Sequence, residues 1–396
     1  MIMSKINSIN WNYPTNIWFG HERVQDIVKA CKELNISNPL IVTDEALVTL
    51  PIIDDLQNPL KEENISFSLF SDVQSNPSGK NVEDGVKVYN ENSCDGVIAF
   101  GGGSALDAGK TIAFMSGQSL SIWDFEDVGD NFSKARIEGI APIIAIPTTS
   151  GTGSEVGRAS VITNSETHAK KIIFHPLMLP AVVILDPNLT YGLPKHITAW
   201  TGMDALVHAL EAYCAPGFHP MADGIALESI ALVKNNLVRA YENGQDENAR
   251  ASMLVAAMMG ATAFQKGLGS VHSIAHQLGG LFNTPHGLAN SIILPYALRQ
   301  NKSEIQDKMK KLCIFLDIQN PSLESFINYI ISLQKTLGIP ASLSEVKIED
   351  DRADEIGRLA YYDPSTGTNA KKLEIEDLTV LFKAAHSGSY DLLKDY

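Results

Sequence analysis

Up to Asp186 the sequence alternates short β-branched or aromatic runs with helix-like stretches, and after Thr190 the strand-like runs stop. The runs are 39–43 (PLIVT), 65–70 (ISFSLF), 96–100 (GVIAF) and 143–146 (IIAI). That rhythm predicts a parallel sheet whose strands are joined by crossover helices. Between Ala159 and Asp186 two further β-rich runs, SVIT and AVVIL, flank a polar turn and the adjacent Lys170 and Lys171, which predicts a hairpin ahead of the second half. Beyond it the pattern turns helical, as over 199–213 and 221–243, with short Gly, Pro or Asn breaks. The apolar stretch 251–264 is too short to span a bilayer and rich in small residues, so it reads as a buried helix. Together these periods predict an α/β domain over 1–187 and an all-helical domain over 188–396.

A chain of 396 residues is long enough for two such cores. Its formal net charge of −15 repels phosphate backbones and anionic membrane surfaces, so neither nucleic acid nor a membrane is an expected partner. Cys31, Cys94, Cys214 and Cys313 are far apart and form no C-x-x-C. This argues against a disulfide framework or a cysteine-ligated metal and suits a reducing cytoplasm. The N-terminal segment mixes polar residues and Pro14 into its apolar ones and lacks the apolar core of a signal peptide.

GVIAF runs into Gly101, Gly102, Gly103 and Ser104 and then into the helical ALDAGKTIAFM. A glycine turn between strand and helix lets main-chain N–H groups at a helix N-terminus approach a pyrophosphate, the geometry that a dinucleotide needs. The spacing is not G-x-G-x-x-G, because Leu106 stands where the third glycine would be. The plain alternative is a tight turn with Ser104 as helix cap and Asp107 completing a capping box. A second loop favours the dinucleotide: IIAIP leads into Thr148, Thr149, Ser150, Gly151, Thr152, Gly153 and Ser154, at a strand end where open α/β sheets bind ligands. Asp44 ends PLIVT. There a carboxylate can accept hydrogen bonds from an adenosine ribose and repel the extra phosphate of NADP, which favours NAD; it serves equally well as cap of the next helix.

In TGMDALVHALEAY, Asp204 and His208 are four residues apart and project from one helix face. His272 and His276 repeat that spacing, and His286 follows Pro285. Any one of these histidines alone is more often a satisfied core residue than a ligand. Four imidazoles and a carboxylate in an apolar helical half are costly to bury without a cation. Three nitrogens and one oxygen suit zinc or iron(II), can leave a position open for substrate, and do not suit calcium or magnesium.

With these residues in view, the chain resembles the iron-dependent (group III) alcohol dehydrogenase family over nearly its whole length. The shared segments are GGGSALDAGK (101–110), IPTTSGTGSEV (146–156), TGMDALVHALEAY (201–213) and the three-histidine run ending in PHG. The resemblance implies an α/β dinucleotide-binding domain followed by an all-helical metal-binding domain, the dehydroquinate synthase-like architecture. It implies Asp204, His208, His272 and His286 as metal ligands, with iron(II) favoured over zinc(II), and leaves His276 beside the open position as a proton relay. It places NAD contacts at Asp44, Asn76, Gly102, Gly103, Ser104, Asp107, Thr148, Thr149, Thr152 and a hairpin lysine, Lys170, with Lys171 as the alternative. The sequence departs from the family at Gly109 and over 157–159.

The implied activity is hydride exchange between NAD(H) and a primary alcohol or aldehyde. The implied setting is a cytoplasmic homodimer or larger assembly to which 11–19 contributes an N-terminal strand. Related readings are a polyol (glycerol) or hydroxy-acid dehydrogenase, and a dehydroquinate synthase-like lyase, whose phosphorylated substrate calls for basic residues that are not clustered near these histidines. A metal hydrolase would leave GGGS and PTTSGTGS without a purpose, and a structural metal site would leave His276 without one. Phe264, Phe282 and His175 read as core rather than pocket lining.

Overall fold

The computed structural model describes Tyr13 and residues 15–166 and 169–393. In chain order the first half contains β1 (Asn16–Phe19), α1 (Ile27–Glu33), β2 (Pro39–Val42), α2 (Glu45–Val48), α3 (Ile52–Glu62), β3 (Ser68–Phe70), α4 (Gly79–Glu91), β4 (Gly96–Gly101) and α5 (Gly103–Met115). It continues with β5 (Ile143–Pro147), β6 (Ala159–Asn164), β7 (Ala169–Phe174) and β8 (Val182–Leu185). Six strands form one parallel sheet in the order β1-β8-β5-β4-β2-β3. The chain runs outward from β2 to β3, returns past β2 to β4, and then proceeds the other way to β5 and β8. The reversal falls between β2 and β4, and it is beyond the strand C-termini at such a reversal that open α/β sheets bind ligands.

β2, β4, β5 and β8 are buried at every position, as parallel strands covered on both faces must be. Alternate side chains serve the two faces. Leu40, Val42, Val97 and Ile143 pack with Val82 of α4 and Ile112 of α5, whereas Ile41, Ile98, Ile144 and Ile184 pack with Ile27 of α1 and Leu56 and Leu60 of α3. Each such side chain contributes about 1.5–3 kcal/mol on burial.

Two expectations change. The predicted run 65–70 pairs only over Ser68–Phe70, at the sheet edge. The hairpin exists, but SVIT pairs with AKKIIF: β6 and β7 form a separate antiparallel ribbon with both lysines inside β7. AVVIL supplies β8, which joins the parallel sheet between β1 and β5. The physical reason is exposure. An unbroken apolar run suits a strand buried on both faces, while the ribbon is half exposed and tolerates charged positions.

The second half contains α6 (Lys195–Cys214), α7 (Pro220–Glu242), α8 (Glu247–Ala263), α9 (Ser270–Phe282), α10 (His286–Gln300), α11 (Lys302–Phe315), α12 (Leu323–Thr336), α13 (Ala353–Tyr361) and α14 (Ile375–Ser387). One apolar cluster joins them, and α6 lies inside it. Among the described residues no strand follows Leu185, and no helix is long and apolar enough to cross a membrane.

The hydroxyl-rich loop after β5 rests directly on this bundle. A Cβ on Gly151 would stand 2.7 Å from Thr201 Cβ of α6, and one on Gly153, whose φ is +62°, would stand 2.2 Å from Ala261 Cβ of α8. The loop's glycines therefore permit backbone-to-helix contact, and they fix the sheet edge one turn from Asp204.

Candidate active site

The crevice is formed by three turns that meet at the C-terminal edge of the sheet. Gly102 caps α5 without a side-chain bond, and Ser104 lies inside the first turn of the helix. The proposed Ser104 cap is thus replaced by a glycine start, which leaves the first N–H groups of α5 without side-chain acceptors. The Ser104 hydroxyl donates to Ser75 O at 2.5 Å, tying the turn that carries Asn76 to the helix start. On the β5 side, Thr148 N donates to Gly101 O at 3.0 Å. A Cβ on Gly103 would meet Thr152 Cγ2 at 2.6 Å, and one on Gly102 would meet Thr149 Cγ2 at 3.4 Å. Thr149 and Thr152 therefore flank the glycine turn.

Asp44 caps the helix that follows it and lies beside the glycine turn. Oδ1 accepts from Leu47 N at 3.0 Å and caps α2, while Oδ2 lies 3.8 Å from where a Cβ on Gly101 would be. Asp107 is turned inward: its oxygens accept from Ser154 Oγ at 2.6 Å and Val161 N at 3.0 Å. It ties the loop after β5 and strand β6 to α5. Lys110, fully buried, supports the same loop through Ser154 O at 3.0 Å and Asp107 at 3.4 Å.

Across the crevice the hairpin and α9 close in. Lys171 pairs with Glu126 at 2.8 Å. Lys170 instead reaches toward α9, its Nζ 2.9 Å from where a Cβ on Gly279 would lie. Burial lowers the affinity of its amine for a proton, against the pull of Asp107, Asp204 and Asp363. Asn76 Nδ2 donates to Asn283 Oδ1, at the end of α9, over 2.5 Å.

Asp204 and His208 on α6, His272 on α9 and His286 at the start of α10 bring one donor atom each within 4.8 Å of one another. The approach of α10 to α6 depends on Gly287, since a Cβ there would sit 2.3 Å from Trp200 O. The His208 and His272 rings stack at 4.6 Å. Burial, and then the neighbouring imidazoles, hold His272 and His286 well below the usual histidine range. They are neutral and offer lone pairs, the form in which imidazole ligates. His208 Nδ1 is buried and makes no hydrogen bond. The donor set and this unpartnered nitrogen fit a divalent transition metal.

His276 is not among these donors. Its ring stacks on His286 at 5.4 Å, and its Nδ1 donates to Asp363 Oδ2 at 2.8 Å. Burial works against ionisation of Asp363, but the His276 imidazole and the Ser365 amide, 2.9 Å away, hold its carboxyl below the usual range. Three groups here have no counterpart in the sequence reading: Asp363, Glu211 and Asn290. Glu211 accepts from His272 Nδ1 at 2.6 Å and from Val271 N at 2.8 Å, and burial pushes its carboxyl up to about 7. A carboxylate on the far nitrogen orients a ligating imidazole and fixes its tautomer. Phe264 lies over His208 at 5.1 Å, while His175 is buried against Phe114.

Two family models cover the chain: iron-containing alcohol dehydrogenase over residues 14–187, and the C-terminal domain of Fe-containing alcohol dehydrogenases over 198–386. The chain belongs to the iron-containing alcohol dehydrogenase family. It is an oxidoreductase with that family's fold, an α/β domain followed by a helical one. It is 34% identical to alcohol dehydrogenase 4 of Schizosaccharomyces pombe over 370 residues, covering 93% of this chain and 86% of that protein. It is 35% identical to 4-hydroxybutyrate dehydrogenase of Cupriavidus necator over 376 residues, covering 92% and 96% of the two. A crystal structure of 1,3-propanediol oxidoreductase superposes with a TM-score of 0.91 at 32% identity, covering 96% of this chain and all of that one.

Proposed function

We propose that this enzyme interconverts primary alcohols and aldehydes, exchanging hydride with NAD(H), around one divalent ion, iron(II) in preference to zinc(II), held by Asp204, His208, His272 and His286. The observation that carries the reading is the convergence of those four donors within 4.8 Å, with the glycine- and threonine-rich loop after β5 packed on α6 one turn from Asp204. When bound, the ion supplies Lewis acidity toward an alcohol or carbonyl oxygen, and the nicotinamide supplies the hydride acceptor or donor. The N–H groups of Gly103 and Ser104 hold the pyrophosphate at the α5 N-terminus, with Gly102, Thr148, Thr149, Thr152 and Asn76 around it. Lys170, rather than Lys171, is the hairpin's cofactor contact, and Asp107 acts through the loop it braces. The free Asp44 oxygen beside Gly101 favours a ribose over a ribose phosphate, hence NAD over NADP.

His276, donating from Nδ1 to Asp363, keeps its lone pair on Nε2. That nitrogen takes the proton released in alcohol oxidation and returns it in aldehyde reduction. The 1,3-propanediol and 4-hydroxybutyrate relatives favour, as a second reading, a substrate that carries another polar group at its far end. We divide the chain at 1–187 and 188–396. Cys31, Cys94, Cys214 and Cys313 are unpaired thiols, which supports a cytoplasmic enzyme. Among the described residues β1 pairs only with β8, and its outer edge is where a second copy would add in a homodimer; residues 11, 12 and 14 of the segment expected there lie outside the described residues.

The test is NADH formation and consumption with short alcohols, diols and aldehydes, using metal-stripped protein reloaded with iron(II) or zinc(II). Turnover that needs both metal and NAD is expected. H276A should retain metal and show an altered pH profile. Turnover without metal, or with NADPH alone, would overturn the corresponding part of the proposal.

A further inference from the structure

Asn290 sits one turn beyond His286 on α10 and is fully buried. Its Nδ2 donates to Asp204 Oδ1 at 2.7 Å and lies 3.0 Å from His286 Nε2 and 3.3 Å from His272 Nε2. One amide nitrogen thus contacts a donor atom on each of α6, α9 and α10. The other end of the same carboxamide, Oδ1, is buried and makes no hydrogen bond. A buried amide satisfied at one end and bare at the other is uncommon, because leaving a buried acceptor unpaired costs about 1–3 kcal/mol.

His272 has already committed Nδ1 to Glu211, so its Nε2 carries a lone pair, as does an ionised Asp204 oxygen. The Asn290 N–H groups are matched to these electron pairs. They have the wrong polarity for a cation among the same atoms, since N–H dipoles directed at a dication repel it, whereas a carbonyl oxygen attracts it. The carboxamide is the same shape either way round, so rotation about its Cβ–Cγ bond exchanges the two ends without repacking the helices.

We propose that Asn290 is a two-position element of the metal site: its N–H groups tie the donors of three helices together, and its carboxamide turns to present Oδ1 when the cation enters. This rests on the reading of Asp204, His272 and His286 as ligands. It makes Asn290 a positioning residue for the ion and separates two energies that ordinary ligands do not separate. The nitrogen orders the donors, and the oxygen favours the ion.

The two roles have opposite signs in two substitutions. N290A removes both and is expected to weaken Zn(II) binding, measured by competition with a chromophoric chelator, by roughly 10–100-fold, the usual effect of losing an outer partner. N290D supplies oxygen in either orientation but no N–H. It is expected to bind Zn(II) more tightly than the wild type while its metal-stripped form melts at a lower temperature, because a second carboxyl then faces Asp204. Parallel weakening in both variants would mean a packing role alone and would overturn the proposal, as would unchanged affinity in both.

The wild-type protein provides a readout that does not depend on a variant folding. With 15N-labelled asparagine, the Asn290 side-chain NH2 resonances, assigned by their loss in N290D or N290A, should shift on titration with Zn(II). Unshifted resonances in a protein that has taken up Zn(II) overturn the rotation and leave the ligands intact. A wild-type chain that takes up no Zn(II) overturns the ligand reading itself and this inference with it.

Discussion

At the edge of the sheet the groups aimed at a ligand are main-chain N–H groups from Gly103 onward, set by a glycine turn and shaped by Thr149 and Thr152. In the helical half they are side-chain atoms carried on three helices, each with its own support: Glu211 behind His272, Asn290 between Asp204, His272 and His286, and Asp363 behind His276. The two regions fail in different ways. A backbone site is destroyed by adding atoms that the chain cannot make room for, and a side-chain site by removing atoms or misdirecting them. Substitutions that subtract should therefore damage the metal cluster, and substitutions that add should damage the nucleotide turn.

The largest effect expected is in the cluster. H272A deletes a donor and leaves Glu211 facing a void, so metal affinity should fall by more than the roughly 10–100-fold that outer partners are worth, and turnover should fall to background. NAD binding, followed by thermal shift, should stay within a few-fold of wild type. E211Q should lose affinity within that same 10–100-fold range while all four donors are kept. If H272A binds metal no worse than E211Q, His272 is not a ligand and the cluster must be redrawn around the remaining donors.

This contrast also explains what could be read from residue order. Asp204 and His208 share one helix, so their i,i+4 spacing carries their geometry, and the glycine turn follows its strand without interruption. His272 and His276 have that same spacing, yet only His272 joins the donor group; the distinction comes from Asp363, 87 residues beyond His276. Glu211 stands one turn beyond His208 and looks like any helical glutamate until α9 places His272 against it. Spacing reports neighbours on one element and is silent about which elements pack together. β7 was hidden for a related reason, because two lysines in a half-exposed ribbon resemble a turn, and burial on only one side leaves no continuous apolar run.

The converse substitution is additive. In G103V, branched carbons enter the space that Thr152 Cγ2 already limits to 2.6 Å from a bare Cβ, and the β4 and β5 loops must part. Overpacking of about 1–3 kcal/mol, expressed as lost NAD affinity, is roughly 5- to 150-fold. Metal uptake should be unaffected, since none of the four donors lies on these loops. A G103V protein that loses metal but keeps NAD would reverse the comparison and show that the crevice supports the cluster rather than the cofactor.

A substitution that should leave both ligands' affinities untouched tests whether the sheet half uses a buried charge in the way the helical half does. Glu155 is 2% exposed, and burial pushes its carboxyl up to about 7 although Lys110 pulls the other way. An unfolded glutamate titrates near about 4.3. The folded chain therefore prefers the protonated acid: the stability it contributes is fully present below the unfolded value and is lost as pH rises through about 7. E155Q is neutral throughout. It should melt with wild type near the low end of that window and above it at pH 8, by an amount approaching about 3 kcal/mol, with NAD and metal affinities unchanged. Lys110 keeps its bonds to Ser154 O and Ala159 O in the variant, so the loop stays braced. A difference in melting that does not vary with pH would mean that Glu155 is ionised and paired with Lys110 at every pH. The loop would then depend on a side-chain charge pair as the metal site depends on its own, and the division between a backbone-built half and a side-chain-built half would no longer hold.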